Sequence, residues 1–501
     1  MKNKLLLSFV IGCQAVAAQK QPNIIVFLVD DMGLMDTSVP FITDSQGNVQ
    51  RQPLNDFYRT PNMERLAQQG IRFSTFYAQS LSSPSRACIM TGQNAARHGI
   101  TTYINPEQNN RGDFGPLDWN WDGLRRKDFT LPRLLKSNGY KTIHVGKAHF
   151  GHWGAEAEFP EAIGFDVNIA GSGAGRPGSY LAEDGYGYSG GERTRAVPGL
   201  AKYHGTHTFL TEAITIEAKE QLRQVAAEQR PFFLYFAQFA VHFPLNVDDR
   251  FIDHYKDSGQ SKKVNAFAAL IEGMDKSLGD IINYLEELKI AENTLIFFVG
   301  DNGSASLIGE ARGHGSSAPL RGMKGTEFEG GFRVPFIASW AKPTKANQRL
   351  LPIQQGGVQT QFGQLADLLP TIASITHSQI PDSAIIDGQD LSLLLTGAKD
   401  PNHSDIFLMH YPHKSRGSYY TSFRRGDYKI VYYYNPEHPE TPSCVLYNLK
   451  DDPFENHNIA GQKPEIVRQL ISQMAAELEA KEARYPIDKW KHSLKPKPEL
   501  F

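Results

Sequence analysis

The chain predicts an α/β fold: a large N-terminal α/β/α sandwich with a mixed, largely parallel central sheet, then a smaller C-terminal domain with an antiparallel sheet and a helix. Three patterns predict it. Short apolar runs at 23–29, 142–145, 232–236 and 295–299 each end close to Gly, His or Asp, as strands buried on both faces do when they deliver polar groups at a sheet edge. Between two of them, Phe267, Leu270, Ile271, Met274, Leu278, Ile281, Ile282 and Leu285 recur at helical spacing, which marks a crossover helix between parallel strands. After about residue 400 the pattern changes to runs at 419–423 and 428–434 joined by the turn Arg425, Gly426, Asp427, followed by a helical stripe of Ile466, Val467, Leu470, Ile471, Met474 and Leu478. The expected division is a leader at 1–18, a large domain at 19–400 and a small one at 401–501.

Lys2 and Lys4, an apolar run at 5–12 and the small residues Ala15, Val16, Ala17 and Ala18 form a secretory signal, with cleavage expected after Ala17 or Ala18. Val10, Ile11, Gly12 and Cys13 also resemble a lipobox, whose processing would leave Cys13 acylated as a lipid anchor. The first route is expected to give a periplasmic or secreted protein, the second an outer-membrane lipoprotein. The strand at 23–29 ends in Asp30, Asp31, Met32 and Gly33, at the carboxyl edge where open α/β sheets bind ligands. A helix is expected at 61–69, with Thr60 as its N-cap, Pro61 in its first position and Gly70 as its stop. The stretch 171–199, rich in Gly, Ser, Pro and Tyr, is too long for an ordinary connection and is expected to form a loop over the rim of a site. The Lys- and Pro-rich end at 489–498 has the composition of a tail.

With 501 residues, 40% of them apolar, the chain can build a large core. Its formal charge of −2 becomes −4 when the leader removes Lys2 and Lys4 and no acid. No global basic field exists to capture a polyanion, so a nucleic-acid partner has no compositional support and a sulfated polymer would need a local basic cleft. The longest apolar candidate for a membrane span, 232–243, carries Gln238 and His242. Of three cysteines only Cys88 and Cys444 follow the leader, too few for a disulfide framework, and Cys88 fits a small buried residue behind position 82.

Two acidic pairs end apolar runs, Asp30 with Asp31 and Asp301 with Asn302, and together offer hard oxygen ligands suited to Ca²⁺ or Mg²⁺. The stretch 82–92 begins with serines and contains no histidine or lysine, so a serine there has no neighbouring base to activate it. Ser82, one free position, then Pro84, Ser85 and Arg86 resemble the signature of the type I, formylglycine-dependent sulfatases of the alkaline phosphatase superfamily, in its Ser form. Gly146, Lys147, His149, Phe150 and Gly151 resemble a second element of that family, in which Ala148 replaces the usual aromatic residue. His242, followed closely by Pro244, and Lys324 within 320–325 match two more. Smaller matches at 60–70, 97–99 and 446–458 extend the resemblance from Pro22 to about Ala460.

The resemblance implies that a maturation enzyme oxidises Ser82 to formylglycine, whose hydrate attacks the sulfur of a sulfate ester and later expels sulfate. It implies that Asp30, Asp31, Ser82, Asp301 and Asn302 hold a divalent cation, usually calcium. It further implies that Arg86 stabilises the modified residue, Lys147 binds it and the sulfate, His149 takes the proton of its second hydroxyl, His242 contacts the leaving-group oxygen and Lys324 is a second sulfate lysine; because a sulfate ester leaves as an alkoxide, His242 and Lys324 together offer proton donation and charge neutralisation there. The preferred substrate is a sulfated carbohydrate. Trp119, Trp121, Arg125, Arg126, His152, Arg176, Tyr180, Arg193 and His204 are places to seek sugar contacts, because aromatic and basic side chains stack on sugars and pair with acidic groups. Two alternatives stand beside this: a phosphate or phosphonate monoester hydrolase of the same superfamily, and a glycan-binding protein in which Ser82 stays unmodified.

Overall fold

A computed structural model describes residues 21–191, 193–310, 312–415 and 417–501, so the leader expected at 1–18 and the lipid anchor expected at Cys13 lie outside the described residues. The first apolar run forms β1 (Asn23–Val29) at the middle of an eight-stranded sheet. The others are β2 (Ile71–Phe73), β3 (Lys141–Gly146), β4 (Val167–Ile169), β5 (Phe232–Ala237), β6 (Thr294–Gly300), β7 (Phe336–Trp340) and β8 (Gly357–Gln359), in the order β4-β3-β5-β1-β6-β7-β2-β8. Only β7 runs against its neighbours β6 and β2, so the sheet is mixed and largely parallel. Alternate residues of β1 point into separate cores: Ile25, Phe27 and Val29 into one, Ile24, Val26 and Leu28 into the other. That is why its run is apolar without alternation.

Four helices position the site, and the apolar stripe expected at 267–285 is buried along the last of them. These are α1 (Pro61–Gln69), α2 (Ser82–Thr91), α3 (Leu210–Glu228) and α4 (Lys262–Glu287), and α3 and α4 cover one sheet face together. The Thr60 side chain does not cap α1. Its hydroxyl is engaged with Thr37 and Ser38, and the buried Asp275 of α4 instead accepts from the Asn62 and Met63 N–H groups at 3.0 and 2.8 Å. The cap arrives from another helix, which no local motif could announce.

The C-terminal part is an antiparallel sheet, β9 (Ile406–Ser415), β10 (Ser418–Arg425), β11 (Tyr428–Tyr434) and β12 (Ser443–Asn448) in that order, covered by α5 (Pro464–Ala480). Its end is not a free tail. Leu494 joins the small core, the Lys497 N–H donates to the Tyr432 hydroxyl, and the Phe501 ring packs 5.9 Å from that of Tyr432. Among the described residues no helix is long and apolar enough to cross a membrane.

Candidate active site

Register places the site. Val29 pairs with Gly300 and Gly146 with Ala237, so the carboxyl ends of β1, β6, β3 and β5 lie side by side. Asp30 and Asp31, Asp301 and Asn302, and Lys147 emerge there together. Gly146 is required at its turn: φ is +103°, and a β-carbon would lie 1.8 Å from the Ala237 carbonyl oxygen. Asp31 and His149 both adopt φ of +60°, a left-handed conformation that costs a non-glycine residue about 1–2 kcal/mol. Packing on every side holds them, and the Asp31 N–H donates to Asp301 Oδ1 at 3.0 Å.

Ser82 is the first residue of the wholly buried α2, with its side chain among these groups. Its Oγ lies 2.9 Å from Asp30 Oδ1, 2.8 Å from Asp301 Oδ2, 3.3 Å from Asn302 Oδ1 and 3.0 Å from Lys147 Nζ. A hydroxyl carries one proton, so it satisfies at most one of the three oxygens facing it. The remaining oxygen–oxygen contacts need a positive charge between them. Carboxylate oxygens of Asp30, Asp31 and Asp301 lie within 4.8 Å of one another, and this all-oxygen donor set with the Asn302 amide oxygen fits a hard divalent cation.

Three cations surround the three acids. Arg86 donates to Asp301 Oδ2 through Nε and Nη2 at 3.0 and 2.8 Å and to the Lys147 carbonyl at 2.7 Å. Lys147 Nζ bridges both Asp30 oxygens at 2.8 and 2.7 Å, and Lys324 Nζ donates to Asp31 Oδ2 at 2.7 Å. The acid cluster is therefore already neutralised, and a bound divalent ion would leave the site net positive, which suits an anionic substrate. Burial, together with the Asp301 and Asp31 charges, pushes the Asp30 carboxyl up to about 8 against the pull of Lys147. Burial would raise Asp31 also, but the positive charges offered by His242, Lys324 and Lys147 hold it well below the usual carboxylate range. Since burial pulls His242 down to about 3 and so keeps it neutral, the lysines carry that effect.

Burial holds His149 neutral too. Its Nε2–H donates to the Ile104 carbonyl at 2.6 Å, which leaves Nδ1 a buried acceptor without a partner among the described residues. Gly175 lies against that ring, where a β-carbon would come within 2.6 Å of Cε1. His242 donates from Nδ1 to the Phe243 carbonyl at 2.9 Å and turns Nε2 toward Asp31 Oδ2 at 3.5 Å. All ten residues selected from the sequence thus gather at one place. Ser82, Lys147, His149, His242 and Lys324 line a cleft of about 320 Å³.

The wall of the cleft differs from expectation. The loop 171–199 does reach it, through Gly175, Arg176 and Arg195, but Tyr103, Asn105 and Phe243 also line it and no sequence signal selected them or Arg195. Tyr180 is fully buried, its hydroxyl directed at the Phe239 and His242 carbonyls at 2.6 and 2.8 Å, so it props the His242 segment. Trp119, Trp121 and Arg125 line a separate cleft of about 380 Å³. His152 stacks on Trp121, Arg126 is exposed, and His204 packs on Tyr186 and Tyr188. The Arg193 side chain lies outside the described residues.

Residues 22–378 match the family model described as Sulfatase. The chain belongs to the sulfatase family. Residues 324–484 of this sulfatase also match the model described as N-sulphoglucosamine sulphohydrolase, C-terminal, which spans the antiparallel sheet. N-acetylgalactosamine-6-sulfatase of Canis lupus familiaris is 31% identical over 86% of this chain and 75% of its own. Among solved structures, Ps i-CgsB superposes with a TM-score of 0.71 at 23% identity, over 91% of this chain and 93% of that one, and it has also been crystallised with k-i-k-neocarrahexaose. The phosphonate monoester hydrolase of Agrobacterium radiobacter shares the fold as well, with a TM-score of 0.60 at 17% identity over 92% of this chain and 96% of that one. The sulfatase is a sulfuric ester hydrolase by family, and its fold alone does not separate sulfate from phosphonate chemistry.

Proposed function

We propose that this sulfatase hydrolyses sulfate esters of a carbohydrate, with formylglycine at position 82 as nucleophile and a divalent cation, calcium or magnesium, held by Asp30, Asp31, Asp301, Asn302 and the modified residue. One observation carries the proposal: Ser82 Oγ faces the Asp30 and Asp301 carboxylates, the Asn302 amide oxygen and the Lys147 ammonium, a cation-binding set of partners that includes no histidine. Both carboxylates are themselves held by Lys147 and Arg86, so a plain serine there lacks the free imidazole base that ordinarily activates one. Oxidation makes the position an aldehyde whose hydrate supplies one hydroxyl to attack sulfur and a second whose deprotonation releases sulfate. The cation, when bound, supplies Lewis acidity toward a sulfate oxygen and the hydrate.

The chain's own residues do the rest. Arg86 fixes Asp301 beside the nucleophile and adds a permanent positive charge below it. Lys147 stands between Asp30 and position 82, placed to hold a sulfate oxygen, and the bare Nδ1 of His149 is the acceptor for the second hydroxyl's proton. On the open side, Lys324 and His242 stand where negative charge develops on the departing alkoxide. An arriving sulfate adds negative charge near His242 Nε2, which favours its imidazolium. The sugar names of relatives and the open cleft support a glycan substrate, and the leader supports a periplasmic or secreted enzyme, with a lipid anchor at Cys13 as the alternative processing.

The test has two parts. Expression with a serine-oxidising maturase, followed by mass measurement of the peptide containing Ser82, is expected to show the aldehyde. Active protein carrying only serine would overturn the mechanism. Paired aryl sulfate and aryl phosphate substrates then separate the chemistries. A clear preference for phosphate would favour the monoester-hydrolase alternative that the shared fold keeps open.

A further inference from the structure

The cleft above Ser82 holds more positive charge than one sulfate ester requires. Lys147 and Lys324 face it, and so do Arg176 and Arg195, whereas among the described residues no acidic side chain lines it. A sulfate monoester carries a single negative charge, which the two lysines and the cation already meet. The arginines have no task in sulfate transfer, and they sit in a chain whose formal charge is −2.

The loop 171–199 builds this pair in. The Gly178 N–H donates to the Arg195 carbonyl at 2.8 Å, and the backbone at Gly178 and at Ala196 both close on Gly187. The segments bearing Arg176 and Arg195 are thereby tied side by side. The Arg176 guanidinium lies over the Phe243 ring, 5.2 Å from its centroid. Arg195 is held with only 16% of its side chain exposed, and its ion pair with Glu107, at 3.7 Å, is longer than a hydrogen bond. Beside them Tyr103 and Phe243 are 45% and 52% exposed, aromatic faces of the kind on which sugar rings stack. Guanidinium forks match the paired oxygens of sulfate and carboxylate.

We propose that Arg176 and Arg195 form a second anion subsite, and that the preferred substrate is a glycan bearing another sulfate or a uronic carboxylate next to the ester that is cleaved. The proposal rests on the sulfatase reading, and 4-nitrophenyl sulfate, which has no second anion, separates the two. If the matured wild-type enzyme fails on that ester and on every sulfated sugar, the sulfatase reading falls and the subsite with it.

The experiment measures kcat/KM of the matured holoenzyme on probes that differ in one anionic group. One arm compares 6-sulfated with 2-N,6-O-disulfated glucosamine and 6-sulfated with 4,6-disulfated N-acetylgalactosamine. The other compares a 6-sulfated hexosamine linked to a uronic acid with the same sugar linked to a neutral hexose. The expected result is a preference of about tenfold or more for the doubly anionic member in at least one arm, declining as salt is raised. In the double variant Arg176→Gln, Arg195→Gln that preference falls to within about threefold, and Arg→Lys at both positions keeps part of it. The ratio is internal to each preparation, so partial loss of folded enzyme cancels. Equal turnover of both members in every arm, or a preference that survives the double Gln variant, overturns the subsite. The arm that discriminates tells a second sulfate from a carboxylate.

Discussion

Two buried charge clusters in this sulfatase look alike and behave differently. Around Ser82, three acids meet Arg86, Lys147 and Lys324. Where the C-terminal sheet docks on the large domain, Glu329 and Glu455 share Lys429 at 3.1 and 2.6 Å. In the second cluster every carboxylate oxygen has a donor: Lys429 on one oxygen of each acid, the Tyr77 hydroxyl on Glu329 Oε2 and the Glu329 N–H on Glu455 Oε2. In the first, one hydroxyl proton faces three acceptors and His149 Nδ1 has no partner among the described residues. Buried charge therefore does not by itself mark a site. What sets the first cluster apart is acceptor oxygens converging on one point with too few protons to satisfy them.

Mutation should separate the clusters by readout. Ser82→Ala is expected to lower turnover of any sulfate ester by at least about a thousandfold, because the nucleophile is gone. In chelator-treated protein its thermal midpoint should hold or rise, since an oxygen crowded by other oxygens is removed. Calorimetry alongside a sulfate-release assay checks both halves, and a large fall in midpoint would show that the hydroxyl is structural. Lys429→Met should do the reverse. It strands two buried carboxylates, at a cost of about 3–5 kcal/mol in denaturant unfolding, while activity per folded molecule stays within about twofold.

The small domain also provides a pH test. His410 is fully buried, its Nε2–H donating to the Arg484 carbonyl at 2.9 Å and its Nδ1 accepting from the Thr421 hydroxyl at 2.8 Å. Burial lowers it from 6.5 to about 4, so the fold keeps it neutral. As pH falls below 6.5 the unfolded chain takes up this proton first, and stability drops between 6.5 and 4 by about 3 kcal/mol from this group. His410→Asn should be less stable at pH 8 yet show a shallower loss across that window, by one proton's slope. Urea unfolding at several pH values measures it. His413, lowered to about 3 by burial, keeps part of the acid sensitivity in the variant.

Legibility followed the same division between local and distant causes. Asp30, Asp31, Asp301 and Asn302 were visible because each pair ends a run buried on both faces, and the sheet register then brings the strand ends together. Ser82, Arg86, Lys147, His149, His242 and Lys324 were visible because each lies in a short motif. Arg195 and Tyr103 were not, because their place in the cleft depends on how one loop is tied to itself and to residues far along the chain. The Thr60 cap failed for a similar reason, since Asp275 supplies it from α4. The three-residue β2 is too short for periodicity to show. The C-terminal end looked like a tail by composition, but Leu494 and Phe501 sit among its lysines and prolines and anchor it on Tyr432 and its neighbours.

The smallest expected effect asks most of the active cluster. His242 touches Asp31 only at 3.5 Å and donates to its neighbour's carbonyl, so removing it leaves Arg86, Lys147, Lys324 and the acids in place. If it faces the departing oxygen, His242→Ala should cost a sugar sulfate, whose alkoxide needs a proton, about ten- to a hundredfold in kcat. A 4-nitrophenyl ester, whose phenolate leaves without one, should lose only about threefold. Equal losses on both esters would remove His242 from the leaving-group side and make it a support for Asp31. The leaving-group role would then pass to Lys324, whose ammonium binds the same carboxylate directly at 2.7 Å and lines the same cleft.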